Sequence, residues 1–311
     1  MNGGKKTVIA TLTILAAAAA IATSRAAISA ERSEISPTIS SYPPADADPD
    51  LLLVWAENLL AAQCMAEVGH LLVVDWPDVN STQEDAYAEM YGATDPAVAF
   101  QAGYGINPQL HNVQLKNSDP NWAYVRSLNP AEDRQFQLAY FGDPADSIRI
   151  ETDDGWLEVG GSGCLADART RLYGSLREWV RLDAWASSLH PRAHDLVTAD
   201  DSYPDILMAW RECMDRSGYS VRDPGDSRSK AATQLHAVGA EKALAMERSV
   251  AAADARCNSE TRMREQSVKL HDKYVAQIVA SERILADNYR ACRTAAILTA
   301  ERLVGQPYFV T

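Results

Sequence analysis

Two short stretches of this chain are copies of one motif. They read Cys64-Met-Ala-Glu-Val-Gly69-His70 and Cys213-Met-Asp-Arg-Ser-Gly218-Tyr219. Each closes a tryptophan-containing helical pattern with a glycine five residues after the cysteine, where a helix-ending left-handed residue is expected. Two further cysteines sit in sequences that resemble each other, Cys164-Leu-Ala-Asp-Ala-Arg169 and Ala253-Asp-Ala-Arg-Cys257. Spacing alone does not fix connectivity. The repeated grammar suggests one bridge per half, Cys64 with Cys164 and Cys213 with Cys257. Cys292 is left over and lies on an apolar stripe, as a small buried hydrophobe would.

Bridges require an oxidising compartment, and the N-terminus supplies a route to one. Lys5 and Lys6 precede an uncharged run, residues 7–24, rich in Ala, Ile, Leu and Val, with small residues around Ser24-Arg-Ala26. Residues 1–30 read as an export signal or, uncleaved, as an anchor that would be the chain's sole contact with a membrane. Their removal takes three of the 29 basic residues and none of the 42 acidic ones, leaving a net charge of −16. Such a chain repels phosphate backbones, so nucleic acid is not an expected partner.

Residues 31–48, with Ser-Pro, Tyr-Pro-Pro and Asp-Ala-Asp, read as a flexible linker. From Pro49, Leu52, Trp55, Leu59, Ala62 and Ala66 recur on one face of a helix ended by Gly69. Leu71 to Trp76 has the length of a strand. Residues 77–147 look irregular, with short helices started at Asp95-Pro96 and Asn129-Pro130-Ala-Glu132. Residues 148–159 read as a hairpin turning at Asp154-Gly155, which pairs Thr152 with Leu157, Ile150 with Val159 and Glu151 with Glu158. A glycine run then opens the helix of Cys164, with a restart expected at Gly174-Ser175. Asp205 to Gly218 reads as another helix, and from Ser227 the pattern is helical almost to the end. Met263, Leu270, Tyr274, Ile278, Leu285, Tyr289, Cys292, Ala296 and Leu303 form a near-heptad stripe there. All seven tryptophans fall between Trp55 and Trp210.

The expected fold is therefore mainly α: an α-rich core over 49–225 with one small β-hairpin and disulfides, and a long C-terminal helical arm over 226–305. The arm is expected to fold back as a hairpin, with Ala231 to Arg256 covering its stripe in part and the rest exposed. A chain shortened after Cys257 is then expected to keep its core.

Taken together, the two Cys-Met-x3-Gly motifs, the Gly-Gly-x-Gly-Cys helix start, Leu172-Tyr-Gly174 and Trp210-x2-Cys-Met-x3-Gly-Tyr219 resemble a group of exported actinobacterial proteins of unassigned function. The resemblance spans roughly Trp55 to Cys257, and His70 departs from the aromatic usual at its position. It implies two bridges and carries no catalytic residue.

Several constellations invite a chemical reading. Gly161-Ser-Gly163-Cys-Leu-Ala166 matches the core of a dinucleotide fingerprint, but its strand belongs to a hairpin and no second parallel strand follows. Cys164 in a first helical turn would have an activated thiol unless it is bridged. His190 and His194 stand at zinc-binding spacing, yet Pro191 makes His190 an expected helix cap and the pair a surface feature. Asp200-Asp201-Ser-Tyr-Pro-Asp205 lacks the glycine and spacing of a calcium loop, and Asp153-Asp154 is turn chemistry.

No catalytic residue, cofactor or metal is assigned. The leading expectation is an exported non-catalytic binding or adaptor protein of the cell envelope. Its partner would be a protein or cell-wall component, met through the stripe of Met263, Leu270, Tyr274, Ile278, Leu285 and Tyr289, which would also serve a homodimer. The alternative is an exported hydrolase with Tyr87, Tyr91, Tyr104, Trp122 and Tyr124 lining a groove in 77–147.

Overall fold

The computed structural model describes residues 37–77, 86–106, 119–152, 155–238 and 240–305. Among these the chain forms twelve α-helices and two small two-stranded sheets. Asp153 and Asp154, read as turn residues, and the segment 7–24 lie outside the described residues. No described helix is long and apolar enough to cross a membrane.

The first helix, α1 (Pro49–Glu67), starts where the Asp48 carboxylate accepts the N–H groups of Asp50 and Leu51 at 2.8 and 3.2 Å, an N-cap with proline in the permissive first turn. The expected face is buried, and so are Leu53, Ala56, Leu60, Ala61 and Met65 on other sides. The helix is apolar over most of its surface and is covered there, leaving Val54 and Asn58 exposed. Its neighbours are α5 (Pro130–Phe141), α6 (Gly163–Tyr173), the last helix α12 (Arg283–Val304) and a strand, β2 (Val73–Val74).

The linker expectation is corrected from residue 37 onward. Strand β1 (Thr38–Ile39) pairs in parallel with β2. The Ser41 carbonyl accepts the Trp55 indole N–H at 3.2 Å, and its hydroxyl accepts the Trp76 N–H at 2.6 Å. The prolines of this segment fix its path while its polar groups pair with α1 and β2.

The hairpin joins β3 (Ile148–Thr152) to β4 (Gly155–Val159), but its register is corrected by two. Ile150 faces Leu157, Ile148 faces Val159, and Thr152 faces Gly155. Gly155, expected in the turn, instead pairs with Thr152 and opens the second strand at φ 137°. Such a slip preserves the faces and sets Arg149, not Glu151, opposite Glu158. The strand-to-helix glycines serve close backbone contact. Gly163 (φ 84°) lies against Gly142 (φ 85°) at the end of α5, and a Cβ on either would collide with the other segment's backbone.

Gly174 ends α6, and the Ser175 hydroxyl accepts the Glu178 N–H to start α7 (Leu176–Thr198), as expected. This long helix joins two lobes. The first holds α1, α4 (Pro120–Ser127), α5, α6, the hairpin and α12. The second holds α2 (Ala86–Tyr91), α3 (Pro96–Ala102), α8 (Tyr203–Arg216), α9 (Pro224–Val238), α10 (Ala240–Thr261) and α11 (Met263–Ser281). Each lobe has one bridge, Cys64–Cys164 in the first and Cys213–Cys257 in the second, while Cys292 is free.

Most of the C-terminal stripe packs inside the monomer, with Leu270, Tyr274, Leu285 and Tyr289 only partly buried. Met263, Leu270 and Tyr274 pack in the second core, Ile278 is buried, and Tyr289 and Cys292 pack near Trp179. Ala296 and Leu303 reach the core around α1. The cover comes mainly from α7, with α8 beside the first part of the stripe and α1 beside its end, while α10 packs chiefly with α3, α8 and α9. The physical reason is the break at Glu282. Its carboxylate accepts the Trp185 indole N–H at 2.6 Å and pairs with Arg192, both on α7. Much of the stripe therefore packs within the monomer, and its turn at Glu282 carries it from one lobe into the other.

Candidate functional site

Helices α2, α7 and α11 bring together three of the six histidines. His271, fully buried, receives or gives a hydrogen bond at each nitrogen. Its Nδ1 meets the Tyr91 hydroxyl at 2.9 Å, and its Nε2 meets Nδ1 of His190 at 2.8 Å. Tyr87 stands edge-on to both rings and donates its hydroxyl to Asp272 at 2.6 Å. Tyr91, also fully buried, packs against His194, whose Nδ1 is buried without a hydrogen-bond partner.

Burial, reinforced by His190, pushes the His271 imidazole down to about 4, so it is neutral at physiological pH. Burial lowers His194 too. A neutral imidazole donates once and accepts once, and that is what Tyr91 and His190 require. His190 lies within α7, not at its cap, because Pro191 is tolerated inside the helix. The pair at positions 190 and 194 is half-buried against α2 and α11. Among the described residues no group of three His, Cys, Asp or Glu side chains is arranged to hold a metal.

A second polar knot braces α10. The Asp254 carboxylate, fully buried, accepts the Trp210 indole N–H and the Tyr104 hydroxyl, each at 2.9 Å. Tyr104 also meets the Ser227 hydroxyl at 2.8 Å, and its backbone N–H reaches Glu247 at 2.8 Å. Burial pushes the Asp254 carboxyl up to about 6 although Tyr104 and Trp210 pull it down.

The five aromatic residues expected to share a groove are dispersed. Tyr87 and Tyr91 belong to the histidine seam, and Tyr104 to the Asp254 knot. Tyr124 packs on the first core and bonds His70 at 2.7 Å, while Trp122 stands half-exposed on α4. Cys164 is buried in its bridge and holds no thiol. Among the described residues strand β4 pairs only with β3, antiparallel, and not in the parallel sheet that a dinucleotide fingerprint accompanies. Asp200 accepts from Ser202 and from the Tyr274 hydroxyl, which hold it well below the usual carboxylate range; it ties two helices.

The two Cys-Met-x3-Gly motifs fold alike, and each opens on a cleft. After Gly69, residues 72–75 line a cleft of about 550 Å³ with Phe136, Asp119 and Asn121. Asn121 occupies its edge, pairing with both the N–H and the carbonyl of Val73 at 2.8 Å. After Gly218, residues 219–221 line a cleft of about 500 Å³ between α9 and α10. Its floor is Val221, Ala231, Ala245, Met246 and Val250, and its polar lining is Ser220, Ser227, Ser249, Lys230 and Lys242. Lys230 is committed to the Ser220 carbonyl at 2.7 Å and to Asp226 at 3.0 Å. Lys242 makes no ion pair among the described residues. A third cleft, about 570 Å³, has Glu89, His194, Arg211 and Asp223 in its wall, and a shallower one of about 620 Å³ has Asp205 and Lys269.

The α9–α10 cleft escapes a reading of the sequence. Its lysines and methionine sit in Ala-rich helical sequence that reads as cover for the stripe, and no local motif marks them. Comparison with protein-family models, with curated proteins and with solved structures finds no match.

Proposed function

We propose that this is an exported, non-catalytic binding protein of the cell envelope that takes its ligand in the α9–α10 cleft. The observation that carries the reading is the cleft itself. It joins an apolar floor to a few polar groups, at a volume within the range of small-molecule sites. The Cys213–Cys257 bridge ties α8, which leads into the turn at Gly218, to α10, one wall of the cleft. Met246 stands about one-third exposed inside it, an apolar side chain that a ligand would cover.

Export is the setting for this reading. The two disulfides fit an extracytoplasmic location, and residues 1–30 supply the signal or anchor. The test is recovery of ligand. The full chain is incubated with envelope extract, re-purified, and its bound small molecules are released and identified by mass spectrometry. The wild type should retain a species that the Met246→Glu variant does not. Equal, empty extracts from both proteins would overturn the proposal.

A further inference from the structure

We infer that the α9–α10 cleft accepts an amphiphile with one acyl chain and one anionic headgroup, with the chain on the Val221–Met246–Val250 floor and the headgroup at Lys242. This rests on the binding reading above and names its ligand class.

The charge pattern carries the inference. The whole chain bears 42 acidic residues against 29 basic ones, yet among the described residues no carboxylate lines this cleft. Three other clefts each have at least one: Asp75 and Asp119, Asp205, or Glu89 and Asp223. In a chain this acidic, a cleft free of carboxylates and edged by lysine is a local reversal of sign. It favours anions where the surrounding field repels them.

The two lysines divide the work. Asp226 and the Ser220 carbonyl hold Lys230, so its charge is largely answered within the protein. Lys242 is exposed, on α10, and is the cation left for a ligand. A lysine ammonium is a compact point charge on a flexible stem, suited to a small acid headgroup. Ser249 adds a hydroxyl, although that group now donates to the Ala245 carbonyl at 2.9 Å. Of the polar side chains in the lining, Ser227 is tied to Tyr104, Ser249 to the Ala245 carbonyl and Lys230 to Asp226 and the Ser220 carbonyl, so a ligand rich in hydroxyls, such as a sugar, would find few partners for the water it loses. An acyl chain loses nothing there and gains burial.

The volume of about 500 Å³ suits one small ligand rather than a two-chain lipid. Free fatty acids and single-chain phosphate esters share the required chemistry, and the experiment separates them.

Isothermal titration calorimetry of the full chain uses three probes, laurate, lauryl phosphate and lauryl alcohol. At least one anion should bind one-to-one in the micromolar range, and the alcohol about tenfold or more weakly. Lys242→Glu should weaken the anion by about tenfold or more and leave the alcohol unchanged. Met246→Glu should remove both. Both positions are exposed, so circular dichroism of either variant should match the wild type. Equal affinity for alcohol and anion, or indifference to Lys242→Glu, would overturn the anionic class while leaving the cleft as a binding site. Failure of all three probes would overturn the amphiphile, and the ligand recovered from envelope extract would then decide the broader reading independently.

Discussion

The backbone N–H of His70 and that of Tyr219 each return to the carbonyl of the methionine five residues earlier, at 2.9 Å in both. The glycine before each ring is left-handed, φ 92° and 88°, and Met65 and Met214 are both fully buried beneath the turn. The two turns are thus one device used twice. A cysteine in the last helical turn binds a partner helix, the methionine fills the core, and the glycine reverses the chain toward a cleft. Bridge geometry agrees, with Cα–Cα separations of 5.4 and 5.6 Å.

Both bridges span long loops, with sequence separations of 100 and 44. Closing loops of that size restricts the unfolded chain by about 4–5 kcal/mol each on the loop-entropy account. Replacing either pair by alanine should therefore lower the urea midpoint strongly, and replacing Cys292, which has no bridge, should cost less than about 1 kcal/mol. Non-reducing peptide mapping of the wild type should return the two bridges and free Cys292. A double variant as stable as wild type would show that the bridges add nothing.

His271 and Asp254 should give opposing pH dependences. The His271 pKa falls from 6.5 to about 4 on folding, so the unfolded chain binds more protons between those values. Its contribution is complete above about pH 6.5 and lost as pH falls toward 4. The Asp254 pKa rises from 3.8 to about 6, so its contribution is complete below about pH 4 and lost as pH rises toward 6. Each amounts to roughly 3 kcal/mol, and the two nearly offset between about pH 4 and 6. His271→Gln should expose the acid's slope, with stability falling as pH rises over that window; Asp254→Asn should expose the reverse. Urea titrations across the window measure both, and parallel pH profiles in the two variants would contradict the assignment.

Glu282 holds the turn that sends the stripe from one lobe to the other. Removing its carboxylate leaves the Trp185 N–H and the Arg192 guanidinium without that acceptor. Glu282→Ala should cost about 2 kcal/mol or more, with Glu282→Gln recovering part through the Trp185 bond. A change below about 0.5 kcal/mol in chemical unfolding would show that the brace contributes little.

Much of the fold could be read from the sequence because it is written locally. Asp48-Pro49, Ser175 and Asn129-Pro130-Ala-Glu132 act as caps within a few residues, and the repeated cysteine motifs announce equivalent ends. What escaped reading depends on distant partners. The stripe from Met263 to Leu303 has to be buried, but nothing in its own spacing says that α7 does most of it. Pro191 looks like a helix start because a proline lacks the N–H of a helix interior. Packing of its neighbours against α2 and α11 keeps α7 continuous. The hairpin turn offers Asp153, Asp154 and Gly155 as adjacent turn formers, and a one-residue choice among them sets every cross-strand pair. The α9–α10 cleft is harder still, since it exists only once two alanine-rich helices and the turn after Gly218 meet.

The C-terminal helices should prove inseparable from the tryptophan core. A chain ending after Thr261 loses α11 and α12, and with them buried Met263, Ile278 and Leu303. Each fully buried side chain of this kind contributes roughly 1.5–3 kcal/mol. Three of them approach the whole stability of an ordinary domain, roughly 5–15 kcal/mol. The loss also uncovers Trp179 and Trp185, which Tyr289 packs against at ring-centroid distances of 6.1 Å, and removes Ala296 and Ala300 from the side of α1. Near-UV circular dichroism reports the fixed packing of those rings. The shortened chain should lose that signal while keeping much of its far-UV helical signal. A native near-UV spectrum would show that the first two-thirds of the chain folds alone, and that the stripe is free to serve a partner after all.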